Sequence, residues 1–507
     1  MSTTLSPPGA TGALLAGRLG ALDSLDLRRA IRPRGAVVEV GDGVARVAGL
    51  PRAGSEELVL FDSGAVGLAY ELAPERTGVV LLAGAATVRA GDGVSATGRP
   101  PSLPVGEGLL GRVVDPLGRP LDGSPAPAGE PRPVFRPAPG LTRRAPVERP
   151  LATGVMVVDA AIPIGRGQRQ LIVGDRNVGK TALALDIVAA QRAGDVACVY
   201  VTVGQPMSRV LGIRESLLAS GALANTVVIA SDAADAAGLQ YLAPYAGATA
   251  AEWFCDQGRD ALVIYDDLTK HADAYRELAL LLGRPPGREA FPGDIFYIHA
   301  ELLERATALN GAAGGGSVTA FPIVETTDSD ISSYIPTNLI SITDGQIYLD
   351  TTRFERNQRP AVDVGRSVSR VGGAAQTPIL RAAARNLRIT ISRFEALEAL
   401  TRVGLDVDPA TRKAVERGRI LRELLRQPRF TRRAVADQVL ALTAVSEGWL
   451  DAAPPTEAAS AVWLAAERAR EAVPRDAGAG AGTAQLPDAW KARAQAEIAR
   501  LIAPGRP

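Results

Sequence analysis

Gly174-Asp175-Arg176-Asn177-Val178-Gly179-Lys180-Thr181 has the spacing G-x-x-x-x-G-K-T, follows an apolar run at 169–173, and leads into a stretch of helical composition from Lys180. A strand, a glycine-rich turn and a helix start in that order give the motif its meaning. The glycines let backbone N–H groups curve around phosphate oxygens, and the helix N-terminus adds partial positive charge. Lys180 is placed to reach terminal phosphates, and the Thr181 hydroxyl can ligate magnesium. A second apolar run, 261–265, ends in Asp266 and Asp267. A carboxylate at a strand end is by itself usually a turn or cap residue, but beside such a loop it can complete a magnesium shell, and Asp266 is the candidate.

The surrounding pattern repeats this alternation. Apolar runs at 196–203, 226–230 and 317–324 are separated by helical stretches, including one that starts after Pro206. Strands that are apolar throughout and divided by helices predict a mostly parallel sheet covered on both faces. Before it, short runs at 36–40, 44–50, 57–61, 65–70 and 78–82, cut by turn residues, predict a small antiparallel barrel. Residues 104–150 are rich in Pro and Gly and read as a connector laid on a surface, too irregular for a ladder. Beyond about 380 the pattern becomes Ala/Leu/Arg/Glu-rich and helical. The expected division is an N-terminal arm (1–34), a barrel domain (35–103), a nucleotide-binding domain (104–380), a helical domain (381–475), and a linker with a short terminal helix (476–507). Leu15, Leu19 and Leu22 predict a helix over 13–30, either a core-packed arm or a docking helix.

Composition excludes several function classes. The 507 residues carry 56 Lys plus Arg against 55 Asp plus Glu, so no global charge recruits nucleic acid or an anionic membrane. With aromatics at 4%, stacking platforms for single strands are not expected. The two cysteines, Cys198 and Cys255, and two histidines, His271 and His299, cannot build a disulfide framework or a four-ligand Cys or His metal site. The longest weakly polar stretch, 78–88, is shorter than the roughly 18 residues of a membrane span, so any membrane association is expected to be peripheral.

Long ungapped segments resemble the alpha subunits of F-type ATP synthases: 39–50 (EVGDGVARVAGL), 113–123 (VVDPLGRPLDG), 162–169 (IPIGRGQR), 174–181 (GDRNVGKT), 265–270 (YDDLTK), 284–294 (RPPGREAFPGD), 334–346 (YIPTNLISITDGQ) and 367–377 (SVSRVGGAAQT). The resemblance implies a β-barrel, a RecA-type nucleotide domain and a helical C-terminal domain. It implies ATP or ADP with Mg2+ as cofactors, catalytic beta subunits alternating with this chain in a hexamer, a central gamma stalk and a peripheral stalk, and no nucleic acid. It also implies a place on the cytoplasmic side of a bacterial membrane, held there indirectly through the ion-translocating sector. The family's beta subunits carry a glutamate that polarises the attacking water where this chain has Gln205. By family logic the local site therefore binds nucleotide without rapid turnover, whereas chemistry alone leaves the matter open, because some GTPases orient water with a glutamine.

Arg370 matches the family's arginine finger, offered to the neighbouring beta subunit, with Ser367 and Ser341 in the same interface segments. The resemblance places Phe354, Arg359, Pro360 and Gln427 around the base. The chain departs from the family at Asn177-Val178, usually Gln-Thr, and at Arg429, usually Gln. With the tail after Asp476, these departures imply a divergent bacterial form, of an alternate proton- or sodium-coupled enzyme. The competing reading is a self-sufficient homohexameric motor, for protein export or for RNA translocation like Rho. It would want a carboxylate near Gln205. A regulatory protein that has lost nucleotide binding is opposed by the intact Lys180, Thr181 and Asp266.

Overall fold

The computed structural model describes residues 34–192, 194–402, 408–470 and 488–502. The helix predicted over 13–30 and the linker predicted over 476–483 lie outside the described residues. Two compact units are present, one comprising 34–101 together with 236–238, the other the described residues of 102–235 and from 239 onward.

The first unit is a closed six-stranded barrel. Strands β1 (Arg34–Gly41), β2 (Val44–Ala48), β3 (Glu57–Phe61), β4 (Val66–Leu72), β5 (Thr77–Ala83) and β6 (Gly93–Ala96) close in the order β1-β2-β5-β4-β3-β6. The β1–β2 hairpin turns on Asp42 and Gly43, both at positive φ, as a two-residue turn matched to strand twist requires. Alternating side chains fill the interior, among them Val37, Val47, Val59, Leu81 and Val94. The sequence pattern anticipates five of these strands. β6 is missed because its four residues offer one large apolar side chain, Val94, between small ones.

The second unit is built on an eight-stranded sheet. It comprises β8 (Val113–Val114), β10 (Leu171–Asp175), β11 (Val196–Gln205), β12 (Thr226–Asp232), β13 (Asp260–Asp266), β14 (Ser317–Thr326), β15 (Gly345–Leu349) and β16 (Val368–Ser369), in the order β16-β15-β10-β14-β13-β11-β12-β8. All pairings are parallel except β15 with β16. Every residue of β11 and β13 is buried, which is why they read as unbroken apolar runs. The connector proves more ordered than its breakers imply. It supplies β8 to the sheet edge, while β7 (Ser102–Val105) pairs with β9 (Glu130–Pro133) in a ribbon whose prolines need no ladder partner on the outer side.

From Pro378 onward the described residues form helices, at Pro378–Ala384, Leu387–Arg402, Pro409–Leu425, Val435–Ser446, Pro455–Arg470 and Asp488–Ile502. Asp408 caps the third of these by accepting from the Ala410 and Thr411 N–H groups. Leu380, Ile391, Leu424 and Val439 share one apolar core with Val157 and Ile187 of the nucleotide-binding region. The buried Asp159 fastens the two layers: its carboxylate accepts from Thr153, from Gly154 N–H and from Gln438 Nε2 at 2.8 Å.

Candidate nucleotide site and the far edge of the sheet

The loop leaves β10 at Gly174, where a Cβ would lie 2.6 Å from the Leu349 carbonyl, and reaches the helix Lys180–Ala190 through Gly179 at φ 98°. No side chain caps that helix, so its first N–H groups are available to an anion. Asn177 adopts the left-handed conformation at φ 64°, which its short polar side chain tolerates. Val178 is buried in the core beneath the loop, so the methyl group standing where the family has a hydroxyl serves packing. Lys180 is 6% exposed and folds back, its Nζ donating to the Gly174 and Asp175 carbonyls at 2.8 and 2.6 Å. Burial pushes its pKa down, opposed by the nearby carboxylates of Glu325, Asp267, Asp266 and Asp175.

Thr181 and Asp266 meet, the hydroxyl donating to the carboxylate at 2.8 Å. The Tyr200 hydroxyl donates to the same Asp266 oxygen at 2.9 Å. A hydroxyl and a carboxylate converging at the mouth of an anion cradle are the hard oxygen donors that magnesium takes, so the residues present fit that ion. The cleft above them, about 530 Å³, is lined by Asn177, Lys180, Thr181, Gln205, Arg209 and Lys270. Gln205, at the end of β11, is 1% exposed, and Lys270 Nζ donates to its Oε1 at 3.2 Å and to the Gly204 carbonyl at 2.8 Å. Asp267 caps the helix Leu268–Leu281 through Lys270 N–H; burial and the adjacent Asp266 push its pKa up to about 7.

Two loop residues face elsewhere than the sequence reading places them. The Asp175 carboxylate turns away from the cradle and accepts from Thr326 Oγ1 at 2.6 Å, from Ser329 and from Thr351, tying β10 to its neighbours. Those bonds outweigh desolvation and hold its pKa below the ordinary value. Arg176 is largely exposed and pairs with Glu325 at 2.9 Å. Glu325, Lys270 and Arg209 were not singled out from sequence; each sits outside the motif and enters the cleft through tertiary packing.

On the base side, the Phe354 ring comes within 3.9 Å of where a Gly179 Cβ would be, and the Arg359 guanidinium lies 4.7 Å from the ring centroid. Pro360 follows directly, and Gln427 N–H donates to the Arg359 carbonyl at 2.8 Å. The Gln427 amide is itself engaged: Oε1 accepts from Met156 N–H at 3.1 Å, while Nε2 donates to the Gly154 and Thr431 carbonyls. Arg429 stacks on Phe430, whose N–H donates to Asp186 at 2.7 Å.

Arg370 lies elsewhere. In the register of β10 with β15, Gly174 is level with Leu349 and Leu171 with Gln346, while Ser369 stands opposite Gly345. The chain therefore reaches Arg370 at the end of the sheet opposite to the phosphate loop. Its main chain is anchored by donation from N–H to the Asp344 carbonyl at 2.8 Å, but the side chain is exposed and among the described residues makes one long bond, 3.4 Å, to the Ile340 carbonyl. Ser341, also exposed, is next to Ile340 and donates to the Thr337 carbonyl, so it and Arg370 share one surface. Ser367 is fully buried: its hydroxyl donates to the Asp363 carbonyl at 2.6 Å and accepts from Tyr348 N–H at 2.9 Å. It fixes the segment from inside. The buried amides of Gln168 and Gln170 reach Ser369 Oγ and the Val368 carbonyl, and Arg388 donates to the Ser367 carbonyl.

Residues 154–369 match the ATP synthase alpha/beta family, nucleotide-binding domain; residues 31–98 match that family's beta-barrel domain and residues 376–472 its C-terminal domain. The chain belongs to the ATP synthase alpha/beta family. Relatives in this family include ATP synthase subunit alpha 1 of Chlorobium luteolum, 50% identical over 88% of this chain and 87% of the relative. ATP synthase subunit alpha 2 of Syntrophotalea carbinolica is 51% identical over 85% and 83% respectively, and ATP synthase subunit alpha of Dehalococcoides mccartyi 51% identical over 82% and 83%. The family's three-part layout of barrel, nucleotide-binding domain and helical domain is the architecture described above.

Proposed function

We propose that this chain is the nucleotide-binding, non-catalytic alpha-type subunit of a rotary ATP synthase. It holds Mg-ATP or Mg-ADP on its own loop and supplies Arg370 to a beta-type neighbour. The observation that carries this reading is the separation within one sheet: the cradle of Lys180, Thr181 and Asp266 opens at one end and the exposed Arg370 stands at the other. A guanidinium on the far edge has no access to its own chain's phosphates, so any phosphoryl group it stabilises belongs to another chain.

Lys180 and the N–H groups after Gly179 bind the phosphates. Thr181 and Asp266 would hold magnesium, which when bound neutralises phosphate charge. Gln205 has no basic oxygen able to take a proton from water at neutral pH, and Lys270 already occupies its amide oxygen. The local site is therefore built for occupancy. In the neighbour, the Arg370 guanidinium offsets charge growing on the transferring phosphoryl group, a contribution of about 10³ to 10⁵ in rate where such fingers are measured. Ser367 positions the segment that carries it, and Ser341 lines the same surface.

Alpha-type relatives imply beta-type partners and stalk subunits, and coupling to proton or sodium movement belongs to that assembly. We place the chain peripherally on the cytoplasmic side through that assembly; among the described residues no helix is long and apolar enough to cross a membrane. Copurification of the full chain from membranes, with identification of its companions, tests the assignment. A beta-type chain and a central stalk are expected, whereas a ring of this chain alone that hydrolyses ATP would overturn it.

A further inference from the structure

Immediately before β10 the segment Gln168-Arg169-Gln170 runs extended beside Ala320, whose N–H donates to the Gln168 carbonyl and whose carbonyl accepts from Gln170 N–H. In extended chain, neighbouring side chains take opposite sides. Those of Gln168 and Gln170 meet each other and reach Ser369 and the Val368 carbonyl, next to Arg370 in the chain. The Arg169 side chain goes to a different residue, Asp344. Its N–H and Nε donate to Asp344 Oδ2 at 2.9 and 3.1 Å, and Nη2 donates to Oδ1 at 2.9 Å. The Asp344 N–H returns a bond to the Arg169 carbonyl at 2.9 Å. So held, Asp344 turns its own carbonyl to the Arg370 N–H, at 2.8 Å.

The remaining nitrogen of the Arg169 guanidinium, Nη1, pairs with Glu304, whose other carboxylate oxygen accepts from Arg144 Nη1 at 2.8 Å. Arg144 also holds the Glu304 carbonyl, from Nη2 at 3.0 Å. The guanidinium of Arg169 is thus committed on every side, and its side chain is 15% exposed. An ion pair drawn this far out of water returns little net stability, because desolvation offsets the attraction. What a two-pronged guanidinium does supply is geometry: its planar N–H groups fix a carboxylate in direction and in plane, which a lysine's point charge does not. Fixing Asp344 by carboxylate and N–H together sets the direction of its carbonyl, and that carbonyl is where the Arg370 main chain is attached.

We propose that Arg169 is the positioning residue for Arg370: through Asp344 it sets where the exposed guanidinium stands toward the neighbouring chain's phosphoryl group, and it touches no nucleotide itself. This rests on the reading of Arg370 as a residue lent to a neighbour, and extends that reading from the exposed tip to its buried base. Gln168 and Gln170 hold the segment at Val368 and Ser369, so loss of Arg169 frees one side of the mount and leaves the other tied. A misplacement of about 1 Å at a reacting centre can cost about 10²-fold in rate.

The test is ATP hydrolysis by the assembled complex, with Arg169→Gln and Arg169→Lys each made in the wild-type and in the Arg370→Ala background. In the wild-type background kcat is expected to fall by about tenfold or more for Arg169→Gln and about threefold or more for Arg169→Lys, which keeps the charge but cannot serve both carboxylate oxygens, with KM within about twofold of wild type. In the Arg370→Ala background, followed by single-turnover hydrolysis so that slow rates stay readable, neither change is expected to lower the rate further, because no guanidinium is left to place. An unaltered kcat in either variant, a raised KM with kcat preserved, or the same fold loss in both backgrounds overturns the proposal; the last is what a role in stability alone would give. If Arg169→Gln does not assemble, Arg169→Lys decides by the same criteria. Failure of the underlying reading looks different: Arg370→Ala would then leave turnover intact in complexes that keep Arg169.

Discussion

The two ends of the parallel sheet are built in opposite ways. At the phosphate-loop end, Lys180, Asp266 and Gln205 are buried, and each polar group has a partner inside the chain. At the other end the main chain around Arg370 is held as tightly, by Ser367, Gln168, Gln170 and Asp344, yet the guanidinium projects into solvent. A closed site satisfied from within is suited to retaining a ligand. A rigidly mounted, exposed cation with no carboxylate partner among the described residues is suited to completing a neighbour's site. Exposed arginines on mobile segments are usually solvated charges of little energetic consequence; the buried scaffold beneath this one argues otherwise.

The sharpest way to break the contrast is Arg370→Ala in the assembled complex. ATP turnover is expected to fall by about 10³ or more, with ATP binding to this chain's own loop unchanged, measured as steady-state hydrolysis beside nucleotide occupancy. Loss of occupancy with turnover preserved would reverse the assignment of the two ends.

A reference buried in the core guards against mistaking general instability for either effect. His271 Nε2 donates to the Tyr241 carbonyl, which leaves Nδ1 to accept from His299 Nε2 at 3.4 Å and leaves His299 Nδ1 unpartnered. Burial depresses the His271 pKa from 6.5 to about 4 and pushes that of His299 well down. A histidine kept neutral in the folded state contributes stability above its unfolded value that is lost as protons bind the unfolded chain. The histidines' contribution should therefore be level above pH 6.5 and fall between 6.5 and 4, by about 3 kcal/mol for His271, against an opposite contribution from Asp267, whose raised pKa favours the folded state as pH falls below about 7. In thermal unfolding against pH, the His271→Gln/His299→Leu double variant is expected to lose less stability than the wild type between pH 6.5 and 4. An unchanged difference between the two across this range would place the acid sensitivity elsewhere.

Lys180→Ala should weaken nucleotide retention by about 10- to 100-fold, as loss of charge-assisted bonds predicts, with turnover in neighbouring sites of an intact hexamer reduced far less. Equal loss of both in recovered hexamers would mean the ends are not separable. The smallest effect is expected from Ser367→Ala, which strands the Tyr348 N–H and the turn at Asp363 at about 1 to 3 kcal/mol. A lowered melting temperature together with a several-fold drop in turnover, and ATP affinity unaltered, would place Ser367 beneath Arg370; stability loss without any effect on turnover would confine it to the fold.

How much of this could be read from the chain differs between the same two regions. The loop spacing, the strand before it and Asp266 after β13 are local signals, and they were legible because a phosphate cradle is made from consecutive residues. The sheet is legible where long strands are buried on both faces, as in β11 and β13, and illegible at β8, β15 and β16, which are only two to five residues long. Arg370 carried no local signal and was found through resemblance. Its supporting amides, and Glu325, Lys270 and Arg209 in the cleft, come from separate elements joined only by tertiary packing. Asp175 shows the limit of a motif: its position in the loop is as expected, yet its side chain serves the neighbouring strands.

On this reading the chain retains ATP and lends its catalytic contribution to a neighbour. The most direct measurement is ATP hydrolysis by the purified full-length chain on its own, at saturating nucleotide with occupancy determined in parallel. Bound ATP that stays intact through many complex-equivalent turnover times is the predicted result. Sustained release of phosphate by the solitary chain would contradict it.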